Sequence, residues 1–368
     1  MKKLKLNKDG LFSFLSSILV IIIGLLIGLI ILFISNPENA WPAFTTILTF
    51  GFSSMRITGN VFLSAAPIIM TGLSVAFAFK TGLFNIGATG QFTMGAFVAI
   101  FIGVQGTAIP APLRIILAVL AAIIAGAIWG AIPGLLKAYY NVHEVISSIM
   151  TNYIGMFLVN YIAITTIFDA GRGTTTRLPS ESSLPTLGME NIFTDGVRSS
   201  NINIGIFLAI ISAIVVYIIL EKTTFGYELK ACGFNKDAAK YAGINEKRNI
   251  ILSMMISGGL AGLGGAINYL VGPGLSLGVA VDALASQGFT GISVAFLGLS
   301  NPIAIIFSGT FISYLLIGGD RTQILGFSIE IVEMVISVII YFCAFVSLVK
   351  MFLLNRFTKK SPAKEAVE

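Results

Sequence analysis

The chain has 368 residues, of which 56% are hydrophobic and 11% are charged, whereas ordinary soluble domains carry roughly 25% charged residues. This composition excludes a soluble globular protein and predicts an integral membrane protein. The net charge of +6 requires no nucleic-acid partner, because basic segments that face anionic membrane lipid explain it.

The first long apolar run, from Leu11 to Ile34, is uncharged and long enough to cross a hydrocarbon core of roughly 30 Å as a helix. The lysines before it would also fit a secretory signal peptide. However, the apolar part of such a peptide is about 7–15 residues long and is followed by small residues at a cleavage site. We therefore expect a retained first membrane helix.

Further apolar runs follow, separated by short polar segments. The predicted membrane spans are residues 11–35, 61–79, 91–108, 113–137, 143–165, 204–220, 249–271, 284–299, 302–318 and 327–350. The sequence thus predicts an all-α polytopic membrane protein in which residues 1–368 form a single transmembrane domain of about ten helices.

Ten spans place both termini on the same side of the membrane. With the N-terminus in the cytoplasm, 17 of the 23 basic residues lie on the cytoplasmic side, as the positive-inside rule requires. We expect a multi-pass protein of the cell membrane with cytoplasmic N- and C-termini.

Two polar segments are longer than the other connections. Residues 166–203 are predicted to form an external loop, either functional or a plain connector. Residues 223–248 are predicted to be cytoplasmic and to contain a short helix, because Asn235 is a good N-cap and Gly243 stands where a helix would end. This segment is either a solvated hairpin or a docking element whose apolar face includes Ala238, Ala239 and Tyr241.

Glycines interrupt the predicted third span in FKTGLFNIGATGQFTMGAF, from Phe79 to Phe97, and the eighth span between Gly288 and Pro302. Glycine weakens a helix by about 1 kcal/mol relative to alanine. Irregular backbone at membrane depth is tolerated only where protein or a water-filled cavity satisfies its polar groups. Because these spans occupy corresponding places in opposed halves, they predict two inverted halves with interrupted helices near a central pathway, close packing being the alternative.

Four motifs in order resemble a known family. The string KACGFNKDAAKYAGINEKR, followed by SGGLAGLGGA from Ser257, resembles the cytoplasmic coupling segment of ABC-importer inner-membrane permeases of the branched-chain amino-acid and simple-sugar type. The strings GLFNIGATGQ, NVHEVISSIMTNYI and GFTGISVAFLGLSNP are similar to the nucleoside-transporting branch of that family. Thr89 departs from the pattern, since the family more often has Glu there, and no role of that acidic residue carries over.

The resemblance implies a permease subunit that forms the membrane pathway for nucleoside uptake. It implies three protein partners, namely a cytoplasmic ABC ATPase subunit, a second permease subunit and an external substrate-binding lipoprotein. The predicted ATPase-coupling residues are Asn235, Asp237, Ala238, Ala239, Tyr241 and Gly243. The chain has no G-x-x-x-x-G-K-[ST] phosphate-binding loop, so it is expected to be a transport subunit and not an enzyme.

Candidate pathway side chains lie in and near the interrupted spans. The amides of Asn85 and Gln91 suit base edges or ribose hydroxyls, and the rings of Phe84 and Phe289 could stack on a base. Asn152 and Tyr153 are polar groups in an apolar run, which either contact substrate or bridge helices. The predicted pathway set is Phe84, Asn85, Gly87, Gly90, Gln91, Asn152, Tyr153 and Phe289.

No metal ion, cofactor or catalytic residue is expected, since Cys232, Cys343 and the single histidine, His143, are far apart in sequence. His143 and Glu144 could form an intramembrane proton relay. We prefer the simpler interpretation that Glu144 complements the dipole at the start of a helix.

Three alternatives remain. Within the family, the substrate could be a simple sugar or a branched-chain amino acid. An ion-coupled secondary transporter would normally need a buried ionisable group, and the predicted spans offer no clear acidic candidate. A structural scaffold would leave the interrupted helices unexplained.

Overall fold

The computed structural model describes residues 8–271, 277, 283–343 and 345–357. Helices dominate these residues, and the prediction of an all-α polytopic membrane protein is confirmed. In chain order the helices are α1 (Lys8–Ser35), α2 (Ala40–Thr49), α3 (Met55–Lys80), α4 (Ala88–Gln105), α5 (Ala111–Tyr140), α6 (Glu144–Thr166), α7 (Met189–Ile192), α8 (Gly205–Lys222), α9 (Thr224–Phe234), α10 (Lys236–Tyr241), α11 (Glu246–Tyr269), α12 (Ser286–Leu297), α13 (Pro302–Arg321), α14 (Ile329–Cys343) and α15 (Val346–Phe357).

Eight helices in the described part of the chain are long and apolar enough to cross a membrane. They are α1, α3, α4, α5, α6, α8, α11 and α13. The predicted segment 284–299 instead holds α12, whose 12 residues span about 18 Å and fall short of a hydrocarbon core of roughly 30 Å. The predicted segment 327–350 holds two helices, α14 and α15, on either side of a turn in which Phe345 N–H donates to Phe342 O at 2.9 Å.

The described residues within Met1–Thr46 and Gly319–Glu368 form one compact unit, and those within Ile47–Gly318 form another. In the first unit, α1 packs against α14 and α15. A Cβ atom on Gly24 of α1 would lie 3.0 Å from the Cα of Ile339 in α14. This glycine therefore allows the two helix backbones to approach closely, as small residues do where membrane helices meet.

In the second unit, α11 lies at the centre and packs against α3, α4 and α5. A Cβ atom on Gly126 of α5 would collide with the backbone of Gly258 in α11. The helix α3 is also buried along most of its length, and Phe77, Leu73 and Met70 are fully enclosed. The glycine-rich run after Ser257 thus lets α11 pack tightly in the helix core.

The predicted external loop is an ordered cover over one end of the second unit. Strands β1 (Phe168–Asp169) and β2 (Thr174–Thr175) form an antiparallel hairpin. Ser182 Oγ donates to Gly103 O at the end of α4 at 2.7 Å, and Leu184 N–H donates to Leu270 O after α11 at 2.8 Å. These bonds fix the segment to two membrane helices, so it is more than a solvated connection.

An ion pair also fixes the loop to α3. Arg56 Nε donates to Asp195 Oδ2 at 2.7 Å. The pKa of Asp195 lies below its ordinary value, because the backbone N–H of Arg198 and the side chain of Arg56 donate to the carboxylate. A lowered pKa means that the contribution of this carboxylate is present at neutral pH and is lost as the pH falls through the folded-state pKa.

We expect Asp195→Asn to raise the hydrogen-exchange rate of residues 190–204 at pH 7 about two- to fivefold, since exposed ion pairs contribute little. In the wild-type chain the same loosening should occur only when the pH falls below the ordinary carboxyl range, after correction for intrinsic exchange. Asp169→Asn, which removes an ion pair with Arg172 in the β hairpin, is the control and should leave residues 190–204 unchanged. Equal exchange in Asp195→Asn and wild type would contradict the tether.

Candidate functional site

The candidate site is built around the non-helical segment between α3 and α4, residues 81–87, which we call the interruption. The helix α3 ends at Lys80, and α4 begins at Ala88. Gly82 has a φ of 74°, and a Cβ atom on it would lie 3.2 Å from the Cα of Gly233 in α9. Only glycine combines this left-handed backbone with so close a neighbour. The irregular backbone that the glycines predict is present at residues 81–87, between the predicted second and third spans, whereas Gly90 and Gly95 lie inside the continuous helix α4. The helix α9 rests directly against this segment.

Buried amides and hydroxyls form a network inside this interruption. Asn85 Nδ2 donates to Gln91 Oε1 at 2.8 Å, and Gln91 Nε2 donates back to Asn85 Oδ1 at 3.2 Å. Asn85 Nδ2 also donates to Ser257 Oγ of α11 at 2.6 Å, and Ser257 Oγ donates to the carbonyl of Ser74 in α3 at 2.7 Å. The network thus joins the interruption to two central helices and satisfies buried polar groups that would otherwise be costly.

Asn152 of α6 holds the start of α4. Its Oδ1 accepts from Gly90 N–H at 2.9 Å, and its Nδ2 donates to Ile86 O at 3.1 Å. A Cβ atom on Gly90 would lie 2.8 Å from the Cα of Asn152. One side chain therefore binds backbone on both sides of the helix start, in a space that only glycine leaves open.

The short helix α12 closes another side of the site. A Cβ atom on Gly288 would lie 2.7 Å from the backbone nitrogen of Thr89. Thr71 Oγ1 of α3 donates to Gln287 O at 2.9 Å. The second glycine-interrupted segment thus packs against the first segment.

Near the start of α4, two buried hydroxyls from different helices make no hydrogen bond within the residues that the structure describes. They are Thr89 Oγ1 and Ser148 Oγ of α6. Ser148 Cβ lies 3.3 Å from the position that a Cβ atom on Gly87 would take, so it borders the same helix start. Buried hydroxyls normally have partners, which makes these two candidates for binding a polar molecule.

The structure brings together five of the eight predicted pathway residues, namely Asn85, Gly87, Gly90, Gln91 and Asn152. Their amides bond to one another, to the Ser257 hydroxyl or to backbone. Phe84 is half-buried, and its ring centroid lies 6.2 Å from that of Phe296. Tyr153 and Phe289 are 47% and 43% exposed.

Four hydroxyl residues of this site were not among the predicted pathway residues, namely Ser74, Thr89, Ser148 and Ser257. A signal for them was available, since each is a small polar residue within or next to an apolar run. Which of them lie inside the helix packing depends on the rotation of each helix, and this needs the structure.

Glu144 has a structural role at the start of α6. Its Oε2 lies 2.8 Å from Lys137 Nζ near the end of α5. The ring of His143 is an N-cap, because its Nδ1 accepts from Val145 N–H at 3.3 Å. This geometry favours helix capping over the proton relay.

The predicted docking segment holds two short helices, α9 and α10. The short helix expected after Asn235 is present as α10, because Asn235 Oδ1 accepts from Ala238 N–H at 2.9 Å, and Gly243 has a φ of 82° just beyond its end. Asp237 lies in the first turn of α10. The helix α9 was not predicted.

Single extended residues join the three helices of this region. Thr223 ends α8 and begins α9, and its Oγ1 accepts from Gly226 N–H at 3.1 Å. Asn235 likewise ends α9 and begins α10. The chain from α8 to α10 therefore contains no flexible linker.

The exposed face of α10 differs from the predicted apolar face. Ala239 is only 4% exposed and packs against the chain itself, whereas Tyr241 is 95% exposed. Phe234 and Tyr227 of α9 are also exposed, at 91% and 69%. These three rings are the large exposed apolar side chains in the described residues of α9 and α10, and the small side chain of Ala238 is exposed as well.

Comparison with known proteins gives consistent matches. Residues 57–344 match the family described as branched-chain amino acid transport system, permease component. The chain is 37% identical to the guanosine ABC transporter permease protein NupP of Bacillus subtilis over 328 residues, which cover 89% of this chain and 92% of that protein.

Two further relatives differ in their named substrates. The chain is 36% identical to the nucleoside ABC transporter permease protein NupB of Lactococcus lactis, with 89% of each chain covered. It is 30% identical to the glucose ABC transporter permease protein TsgB13 of Haloferax volcanii, with 77% of this chain and 74% of that protein covered. No solved structure matches the chain significantly.

Proposed function

The chain belongs to the permease family of branched-chain amino acid transport systems, and from this premise we propose that it forms the membrane pathway of an ATP-binding-cassette importer for nucleosides. It is a transport subunit and not an enzyme, like the permeases it resembles. The nucleoside assignment rests on two relatives of 37% and 36% identity, named for guanosine and nucleosides, that match about nine-tenths of the chain.

One structural observation supports the proposed location of the pathway. The interruption between α3 and α4 is a polar site inside an apolar helix bundle, and it includes two hydroxyls, of Thr89 and Ser148, without a partner in the described chain. Interrupted membrane helices place polar groups where substrates cross. We propose that these hydroxyls bind the nucleoside, while Asn85, Gln91 and Asn152 hold the site in shape. The predicted inverted halves fit this arrangement, since α12 packs against the same place.

The proposed partners follow from the family. They are a second permease subunit, a cytoplasmic ATPase subunit that binds the exposed rings of α9 and α10, and an external substrate-binding lipoprotein. This assignment puts α9, α10 and both termini in the cytoplasm, as the distribution of basic residues predicts.

A sugar permease is the second candidate, because the glucose permease relative is 30% identical. A competition assay distinguishes the nucleoside candidate from the sugar candidate. It measures uptake by the importer assembled from all its subunits. Radiolabelled guanosine uptake should be inhibited by unlabelled guanosine and cytidine, but not by glucose, ribose or leucine. Inhibition by glucose or leucine alone would reject the nucleoside assignment.

The Thr89→Val variant tests whether the Thr89 hydroxyl binds the nucleoside. The change removes a hydroxyl that has no partner in the described chain, so the melting temperature should stay the same or rise slightly. If this hydroxyl binds the nucleoside, the KM for uptake should rise about three- to tenfold, because a net hydrogen bond contributes roughly 0.5–1.5 kcal/mol.

Thr93→Val is the matched control. Its hydroxyl bonds within α4, to Thr89 O at 2.9 Å, one turn further along. This variant should keep the wild-type KM. An unchanged KM in Thr89→Val would remove Thr89 from the proposed binding site.

A further inference from the structure

A cavity lies at the end of α3, beside the interruption. It has a volume of about 300 Å³ and is lined by Phe79, Lys80, Lys230, Gly233, Phe234, Leu299 and Ser300. All these residues belong to the same compact unit. A volume of this size is at the lower end of the range for small-molecule sites.

The charge of the cavity is positive. Lys230 Nζ is paired with Glu221 Oε2 at 3.0 Å. Lys80 is half-buried and makes no ion pair with any residue that the structure describes. The Glu221 carboxylate also acts electrostatically on Lys80, so the two lysines share one carboxylate and leave an excess of one positive charge. A partly buried ammonium that is incompletely neutralised is unfavourable. The cavity therefore lacks one negative charge.

A buried hydroxyl also faces this cavity without a partner. Ser300 lines the wall, is 5% exposed, and its side chain makes no hydrogen bond to the described part of the chain. A serine hydroxyl can donate to an anion, so its position beside two lysines adds a neutral donor to the charged ones.

The Ser300 hydroxyl is positioned by a backbone turn with left-handed φ angles. Leu299 and Ser300 have φ angles of 51° and 53°, a left-handed conformation that is unfavourable for residues with a Cβ atom. Ser300 N–H donates to Ala295 O at 2.8 Å, which holds the turn at the end of α12. Strained residues of this kind cluster at binding sites.

We infer that this cavity binds a singly charged phosphate group, with Lys80 and Lys230 as the cationic ligands and Ser300 as a hydroxyl donor. A phosphodiester carries the one negative charge that the cavity lacks. The apolar side chains of Phe79 and Leu299 would contact the carbon atoms on either side of it. An anionic phospholipid headgroup and free phosphate share this chemistry.

Binding is measured with the purified full-length permease in detergent, by native mass spectrometry and by melting temperature. The probes are dioleoylphosphatidylglycerol, zwitterionic dioleoylphosphatidylcholine and inorganic phosphate. Phosphatidylglycerol should bind more tightly than phosphatidylcholine and should raise the melting temperature. The alternative result is that inorganic phosphate raises the melting temperature in a way that depends on Lys80 and displaces phosphatidylglycerol. That result would identify free phosphate, and not a lipid headgroup, as the ligand.

Three variants distinguish binding in this cavity from nonspecific attraction between surface lysines and anionic lipid. Lys80→Gln should weaken phosphatidylglycerol binding about fivefold, and Ser300→Ala about threefold. Lys222→Gln removes an exposed lysine at the end of α8 that does not line the cavity, and should change nothing. Wild-type binding in both Lys80→Gln and Ser300→Ala, or an equal loss in Lys222→Gln, would overturn the inference. Ser300→Ala keeps the test valid if Lys80→Gln does not fold.

Discussion

Gly90→Leu is expected to abolish nucleoside uptake while the permease remains in the membrane. A Cβ atom at this position would lie 2.8 Å from both the Cα and the Oδ1 of Asn152, so α4 and α6 would have to move apart. The hydrogen bond from Gly90 N–H to Asn152 Oδ1 would break with that movement. Overpacking of this kind costs about 1–3 kcal/mol, which the large buried surface of α3 and α11 can absorb without unfolding.

The measurement is ATP-driven uptake per permease molecule in the membrane, with the melting temperature determined in parallel. Gly171→Leu is the control, because among the residues that the structure describes a Cβ atom there would approach just Asp169 Oδ1 within 4 Å, at 3.3 Å in the outer hairpin. We expect wild-type uptake from this control. Wild-type uptake by Gly90→Leu would mean that the start of α4 does not form the pathway.

Tyr241→Asp is expected to separate the permease from its ATPase. The ring is 95% exposed, so the substitution leaves the fold of the permease unchanged. If the ATPase covers this ring, the change removes about 2–3 kcal/mol of apolar burial and places an unpaired charge in the contact. Together these effects should weaken association by roughly two orders of magnitude or more.

The experiment compares co-purification of the ATPase and uptake for wild type, Tyr241→Asp and Lys236→Ala. Lys236→Ala is the matched control on the same helix, and loss of one solvated charge should contribute at most about 1 kcal/mol. Ala239→Asp is unsuitable, since Ala239 is buried in the permease itself and a charge there would disturb α10 directly. Retention of both association and uptake by Tyr241→Asp would reject the docking assignment.

The sequence was sufficient for the features that depend on local chemistry. Long apolar runs predicted membrane helices such as α1, and an Asn before helix-forming residues predicted the start of α10. The glycine-rich stretch after Phe79 predicted irregular backbone, which is present before α4, whereas Gly90 and Gly95 lie within that helix. These features depend on neighbours within a few positions, which a single sequence displays.

The sequence was insufficient where the outcome depends on contacts between distant segments. Asn85 and Gln91 were expected to face the substrate, and the structure has them bonded to each other and to Ser257, 172 positions away from Asn85 in the chain. Their roles in substrate binding stay predictions. In the same way, the inward rotation of Ala239 and the presence of α9 depend on packing that periodicity over six to eleven residues does not determine.

The single-residue joints at Thr223 and Asn235 have a mechanical consequence. Each joint has one non-helical residue, so α8, α9 and α10 follow one another without a loop between them. A Cβ atom on Gly233 would lie 2.6 Å from Lys80 O, which means that α9 contacts the end of α3 closely. If the proposed ATPase binds α10, we therefore expect a displacement of α9 and α10 to alter the end of α3, beside the proposed pathway.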